Sequence, residues 1–217
     1  MIGDKLVITT YHREAAAFIY EAVESTIKGA EKPVAITIAG ESGCGKSETA
    51  KVLADLLTKA GYRAIVLQQD DYFVYPPQTN HQKRLEDIKQ VGPGEVKLDL
   101  LDENIAAIKK GNLKEITKPL VDYDQDLIME ETVPLEGIKA IVIDGTYTTS
   151  LKNADFRAFI DRNYRQTKMS RLKRSRDPLS SYLERVLAIE HEIISNHKKM
   201  ADLVIPAPLE EQKKVDP

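Results

Sequence analysis

The chain is 217 residues long, 42% hydrophobic and 30% charged, enough for one α/β domain with a substantial core, or one domain and a small lid. Its net charge of −3 gives no sign of a nucleic-acid or anionic-membrane partner. No apolar run approaches the ~18 residues of a membrane span, and Met1-Ile-Gly-Asp-Lys lacks the basic and apolar regions of a signal peptide, so a cytoplasmic protein is expected.

Arg13 to Lys28 carries Ala15, Ala16, Ile19, Ala22, Val23 and Ile27 on one stripe, with Gly29 after it. This predicts an amphipathic helix, and residues 1–32 read as an N-terminal extension packed on the core. Pro33-Val-Ala-Ile-Thr-Ile-Ala is a short β-branched run that predicts a buried strand. Gly40-Glu41-Ser42-Gly43-Cys44-Gly45-Lys46-Ser47 follows, a full match to G-x-x-x-x-G-K-[ST]. In such a loop the glycines let backbone N–H groups line a concave anion site at a helix N-terminus. The lysine reaches the β- and γ-phosphates and the Ser hydroxyl ligates Mg²⁺. Gly40 to Ser47 are therefore the expected ATP-binding residues, with Lys46 also catalytic and Ser47 a Mg²⁺ ligand. Cys44 is the single cysteine, which excludes an intramolecular disulfide; its thiol makes the loop a candidate for alkylation. Glu48 to Ala60, with Ala50, Leu53, Leu57 and Ala60 on one stripe and Gly61 as cap, predicts the helix that the loop requires.

Arg63-Ala-Ile-Val-Leu-Gln predicts the second strand. It runs into Gln69-Asp70-Asp71-Tyr72-Phe73, where two adjacent acids stand at a strand end. One carboxylate there would take a proton from an attacking hydroxyl, and the other would orient Mg²⁺ or cap a turn. Tyr72 to Gly94 is a long excursion with five chain breakers, a candidate substrate loop. Leu98 to Lys110 predicts a helix closed by Gly111, and Glu115 to Leu127 an extended segment around Pro119. Lys139-Ala-Ile-Val-Ile-Asp144 predicts a buried strand, and Asp144 stands where a Mg²⁺-holding acid is expected. Asp155 to Asn163 is a further strand candidate. Arg162 to Arg176 holds seven basic residues and no acid, which predicts a lid that neutralises transferring phosphate, with Arg171, Arg174 and Arg176 as its catalytic charges. Ser180 to Met200 predicts a helix with Leu183, Val186, Leu187, Ile193 and Ile194 inward. Leu203-Val-Ile-Pro closes the sheet, and residues 209–217 form a charged tail expected to be loose. Strands alternating with helices predict a P-loop NTPase-type α/β fold over 33–208: a parallel sheet, helices on both faces and a short basic lid near 162–177.

The ordered set of motifs from Val34 to Pro206 resembles the uridine kinase and phosphoribulokinase family. Gln69-Asp70-Asp71-Tyr72-Phe73 is similar to a family segment whose Asp is the general base, which implies that role for Asp70 and a substrate-side place for Asp71 and Tyr72. Glu95-Val-Lys-Leu-Asp99 resembles the segment that binds substrate hydroxyls, implying Asp99. Val121-Asp-Tyr-Asp124 implies Tyr123 near the substrate. Arg174-Ser-Arg176-Asp177 is similar to the family's lid, and Ala201-Asp-Leu-Val-Ile-Pro206 to its final strand. The resemblance implies an ATP- and Mg²⁺-dependent kinase of a small-molecule hydroxyl, with homo-oligomerisation open. Ile128 stands where uridine kinases place a pyrimidine-reading His, Ser175 replaces a Gly, and the loop Val74–Gln90 is its own. A nucleoside, a sugar phosphate, a glycerate-like acid and a pantothenate-like alcohol are all acceptor candidates. A regulatory nucleotide switch and a nucleic-acid binder using the basic segment are the rival readings.

Overall fold

The computed structural model describes residues 1–3, 5–169, 171 and 181–208. Five parallel strands form the sheet: β1 (Val34–Gly40), β2 (Ala64–Gln68), β5 (Ala140–Asp144), β6 (Phe156–Asp161) and β7 (Leu203–Pro206). Their order is β2-β5-β1-β6-β7, so β1 lies at the centre. Every residue of β1 and β5 is buried, the mark of strands covered on both faces.

The helices α1 (Thr10–Gly29) and α2 (Lys46–Lys59) cover one face. Ala15, Ala16, Ile19, Val23 and Ile27 of α1 share a core with Ile36 and Ile38 of β1 and Leu53 and Leu57 of α2. The N-terminal extension thus completes the main hydrophobic layer. On the other face, α4 (Leu98–Lys109) buries Leu101, Ile105 and Ile108 against Ala35, Ile141 and Ile143. Ile194 of α5 (Ser181–Ile194) joins the same layer.

The excursion after β2 contains a helix, α3 (Pro77–Glu86), opened by Pro77 at its first turn, where the missing N–H costs nothing. The segment around Pro119 is β3 (Glu115–Asp122), and it pairs with a strand the periodicity did not disclose, β4 (Leu127–Pro134). The turn between them is built by Asp122, whose Oδ1 accepts from the N–H groups of Asp124 and Gln125 at 3.0 Å each. β3 and β4 form a separate two-stranded sheet, so Pro119 sits on an edge where its absent N–H is tolerated. The helix expected to reach Met200 stops at Ile194, and a single 3₁₀ turn covers His197–Met200. Among the described residues, no helix is long and apolar enough to cross a membrane.

Candidate active site

The carboxyl ends of β1, β2 and β5 meet, as parallel α/β sheets require of a ligand site. The register places Asp144 opposite both Ile38 and Gln68. The phosphate loop therefore leaves the sheet beside the β5 acid and the acids that follow β2.

Two glycines of the loop have physical reasons to be glycine. Gly40 has φ +148°, and a Cβ there would lie 2.8 Å from the carbonyl oxygen of Ile160. Gly45, at φ +102°, starts α2, and a Cβ there would lie 2.5 Å from Nε2 of His12. α1 thus reaches the loop, and the His12 ring is held by Thr9, whose N–H donates to Nδ1 at 3.0 Å. Arg162 donates to the carbonyl of Cys44 at 2.9 Å. Burial pushes the Cys44 thiol up, and the side chain is wholly enclosed, so the expected alkylation site is inert.

Lys46 folds over the loop and donates to the carbonyl of Glu41 at 2.9 Å. Ser47 Oγ donates to Asp144 Oδ2 at 2.7 Å. A hydroxyl and a buried carboxylate in contact beside the loop are the hard oxygen donors that Mg²⁺ prefers. Mg²⁺ takes only one or two protein oxygens beside phosphate oxygens and water. The residues present fit Mg²⁺.

A cavity of about 510 Å³ opens from this point, and Gly43, Lys46, Ser47, Asp70, Tyr123 and Arg171 are among the residues that line it. Asp71, Tyr72 and Asp99 are not brought to it. Asp70 and Asp71 lie in a 3₁₀ turn, Gln69–Tyr72, which turns adjacent side chains to different sides. The Asp71 carboxylate is buried and accepts from Lys118 Nζ at 2.9 Å and from the Val121 N–H at 3.0 Å. The N-terminal ammonium lies 3.0 Å from its Oδ1. Asp71 thus clamps the hairpin and the chain start to the sheet. Burial lowers the Lys118 ammonium, but Asp71 and Glu131 outweigh that and push it up. Asp71→Ala is expected to lower stability by about 3 kcal/mol, the low end for a broken buried pair because Glu131 remains 2.9 Å from Lys118. The shift of the urea midpoint at constant slope checks this.

Tyr72 is fully buried, and its hydroxyl accepts from Asn104 Nδ2 at 2.9 Å. Phe73 takes its place on the cavity wall. Asp99 is exposed in the first turn of α4, where a negative charge suits the helix dipole. The other acid of that segment, Glu95, is buried and bonds Arg84 of the cavity wall.

The start of the basic segment docks on the phosphate loop. Arg171 Nη1 donates to the Tyr164 carbonyl at 2.6 Å, and Thr167 Oγ1 donates to the Ser42 carbonyl at 3.0 Å. Arg174 and Arg176 lie outside the described residues. Glu41, one of the expected nucleotide-binding loop residues, uses its side chain to tie the loop to other elements. Its Oε2 accepts from the Tyr164 N–H at 2.6 Å, and its Oε1 lies 2.6 Å from His191 Nδ1 on α5.

Among the cavity residues the sequence reading did not single out are two charged ones, Arg84 on α3 and Glu190 on α5. Arg84 binds Glu95 through Nε and Nη2 at 2.5 and 2.9 Å, and Nη2 also reaches Glu190 at 3.2 Å. Burial pushes the Glu190 carboxyl up, opposed by Arg84 and Lys46. A signal for Glu190 does exist in the sequence. It falls on the inward stripe of α5 with Val186, Leu187 and Ile194, and an acid there needs a partner.

The chain matches known proteins over most of its length. The model of the phosphoribulokinase / uridine kinase family matches residues 35–207. A bifunctional alpha-galactosidase/sucrose kinase of Mediterraneibacter gnavus is 28% identical over 205 residues, which is 88% of this chain; the chain spans only 22% of that relative's length. A uridine kinase of Leuconostoc citreum is 26% identical over 187 residues, covering 81% of this chain and 88% of the relative. The structure of a D-glycerate 3-kinase from Cryptococcus neoformans shares the fold, with a TM-score of 0.62 at 14% identity over 92% of this chain and 96% of that one. The phosphate loop, the acid at the end of β5 and a match over most of the chain lead to one conclusion: the chain belongs to the phosphoribulokinase / uridine kinase family of kinases.

Proposed function

We propose that the protein transfers the γ-phosphoryl group of ATP to a hydroxyl of a neutral, polyhydroxylated small molecule, with Asp70 as general base. The observation that carries this reading is one cavity lined by Lys46, Ser47 and Asp70, with Asp144 bonded to Ser47. The loop N–H groups and Lys46 hold the phosphates, and Ser47 and Asp144 hold Mg²⁺. When bound, Mg²⁺ draws charge from the phosphate oxygens. Asp70 orients the acceptor O–H and takes its proton as the new P–O bond forms and the bond from the γ-phosphorus to the β,γ-bridging oxygen breaks, with ADP leaving. Arg171 supplies positive charge from the lid side, where Arg174 and Arg176 are expected to join it.

Charge narrows the acceptor. Beyond the phosphate loop, Asp70 and Glu190 face the cavity with Arg84, which is paired with Glu95 and Glu190, with Met1, whose ammonium is paired with Asp71, and with Arg171 on the lid side. A second anion on the acceptor, placed between Asp70 and Glu190, would meet repulsion, because Arg84 and the Met1 ammonium are already paired. The relatives named above include sucrose and uridine kinases, whose acceptors are neutral, and a glycerate kinase, whose acceptor is not. The charge of this cavity favours the neutral class.

The test is ADP release with ATP and Mg²⁺ and one acceptor at a time: sucrose, fructose, uridine, D-glycerate, pantothenate or ribulose 5-phosphate. A neutral acceptor is expected to exceed every anionic one by about tenfold or more, the cost of one unfavourable charge contact. Release confined to the anionic acceptors would overturn the reading.

A further inference from the structure

We infer that Arg84 and Glu190 form the acceptor-hydroxyl subsite, and that the acceptor they select is a carbohydrate presenting adjacent hydroxyls. This rests on the kinase reading above and names the substrate class of that same site.

Arg84 lies in the last turn of α3, within the excursion that the sequence sets apart. Glu95 serves as its scaffold. Besides both bonds from Arg84, Glu95 accepts from Asn80 Nδ2 at 3.0 Å and from the Gly92 N–H at 2.9 Å. Four donors saturate that carboxylate and fix the guanidinium plane. Glu190 differs. It lines the cavity with 13% of its side chain exposed, and among the described residues Arg84 is its one hydrogen-bond donor, through Oε1. Its second oxygen receives no hydrogen bond among the described residues. A half-used carboxylate beside a fixed guanidinium presents an acceptor next to a donor. Adjacent hydroxyls match that pair, since each O–H both donates and accepts.

A second observation points the same way. Tyr182 lines the same cavity, and among the described residues its hydroxyl is buried without a hydrogen-bond partner. A buried hydroxyl without a partner is costly, so a Tyr182 side chain that turns its hydroxyl toward a bound polyol gains a hydrogen bond. The Tyr182 ring packs edge-on against His81 at 5.8 Å, which with Tyr75 gives the cavity an aromatic wall for the C–H face of a sugar ring.

A nucleoside base finds less here. Among the described cavity residues the one side-chain amide is Asn80, and its Nδ2 is committed to Glu95. Reading a pyrimidine edge requires a donor and acceptor free to face it.

The test measures kcat and KM for sucrose, fructose, uridine and ATP in the wild type, Glu190→Gln and Tyr182→Phe. Calorimetric binding of each sugar in the presence of a non-hydrolysable ATP analogue runs beside it. Glu190→Gln is expected to raise the sugar KM and dissociation constant by about 10- to 100-fold, the loss of a charge-assisted bond, with the ATP KM within about twofold. Tyr182→Phe removes a single oxygen and is expected to raise the sugar KM by about threefold to tenfold, which keeps the test open if Glu190→Gln folds poorly. Sugar binding weakened by Glu190→Gln without ADP formation would leave the subsite standing and sink the kinase reading. ADP formation with an acceptor whose KM ignores both substitutions would do the reverse. Failure of both sugars to bind, with uridine turned over well, also overturns the subsite.

Discussion

Asp70→Asn is expected to lower acceptor-dependent turnover by about 10²- to 10⁴-fold, the range for losing a positioned general base. The substitution keeps the shape of the side chain and removes its basicity. Its backbone position is fixed on both sides. Gln69 Oε1 accepts from the Tyr147 N–H at 2.7 Å, and Asp71 is clamped by Lys118 and Val121. The asparagine is therefore held where the carboxylate was, and the KM for ATP is expected to stay within about threefold because the base makes no bond to the phosphates. Single-turnover measurement at saturating ATP and acceptor checks the chemical step directly. Near-wild-type phosphoryl transfer in Asp70→Asn would falsify the assignment. The contrast with Asp71 makes the result sharper, since the neighbouring acid belongs to a buried ion-pair cluster and its loss reads out as stability.

Lys46→Ala is expected to lower kcat by about 10²- to 10³-fold, the cost of removing one preorganised group that meets transition-state charge. It also raises the KM for ATP, because the ammonium binds phosphate in the ground state too. In the structure Lys46 donates to the Glu41 carbonyl and sits partly exposed, so the fold loses little without it. Initial rates over an ATP titration, beside a thermal melt, separate the two effects. Lys46→Arg is expected to give no rescue, because a planar guanidinium does not replace a compact ammonium in a tight loop. Retention of wild-type turnover in Lys46→Ala would remove the phosphate loop from the mechanism.

The two halves of the site differ in how far the chain announces them. The phosphate loop, its strand and its helix are written in consecutive residues, because glycine conformation, β-branched burial and helical periodicity act over a few positions. Asp144 at the end of β5 is legible for the same reason. The hairpin of β3 and β4 is only half legible. β4 is mostly exposed, so it lacks an apolar pattern, and its turn is built by the side chain of Asp122 instead of a glycine pair.

The acceptor half was decided by tertiary structure. Sequence places Asp70, Asp71 and Tyr72 side by side, and the 3₁₀ turn gives the cavity only the first. It offers Asp99 as the hydroxyl-binding acid, while the chain buries Glu95 near the site and leaves Asp99 in water. Arg84 and Glu190 are 106 residues apart and meet because α3 and α5 lie against one cavity. Patterns within a few residues determine which segments become strands, helices and a phosphate-binding loop in this protein. Which carboxylates line the cavity depends on where distant segments cross: the inward stripe of α5 marks Glu190 as an acid in need of a partner, but nothing local to it names Arg84.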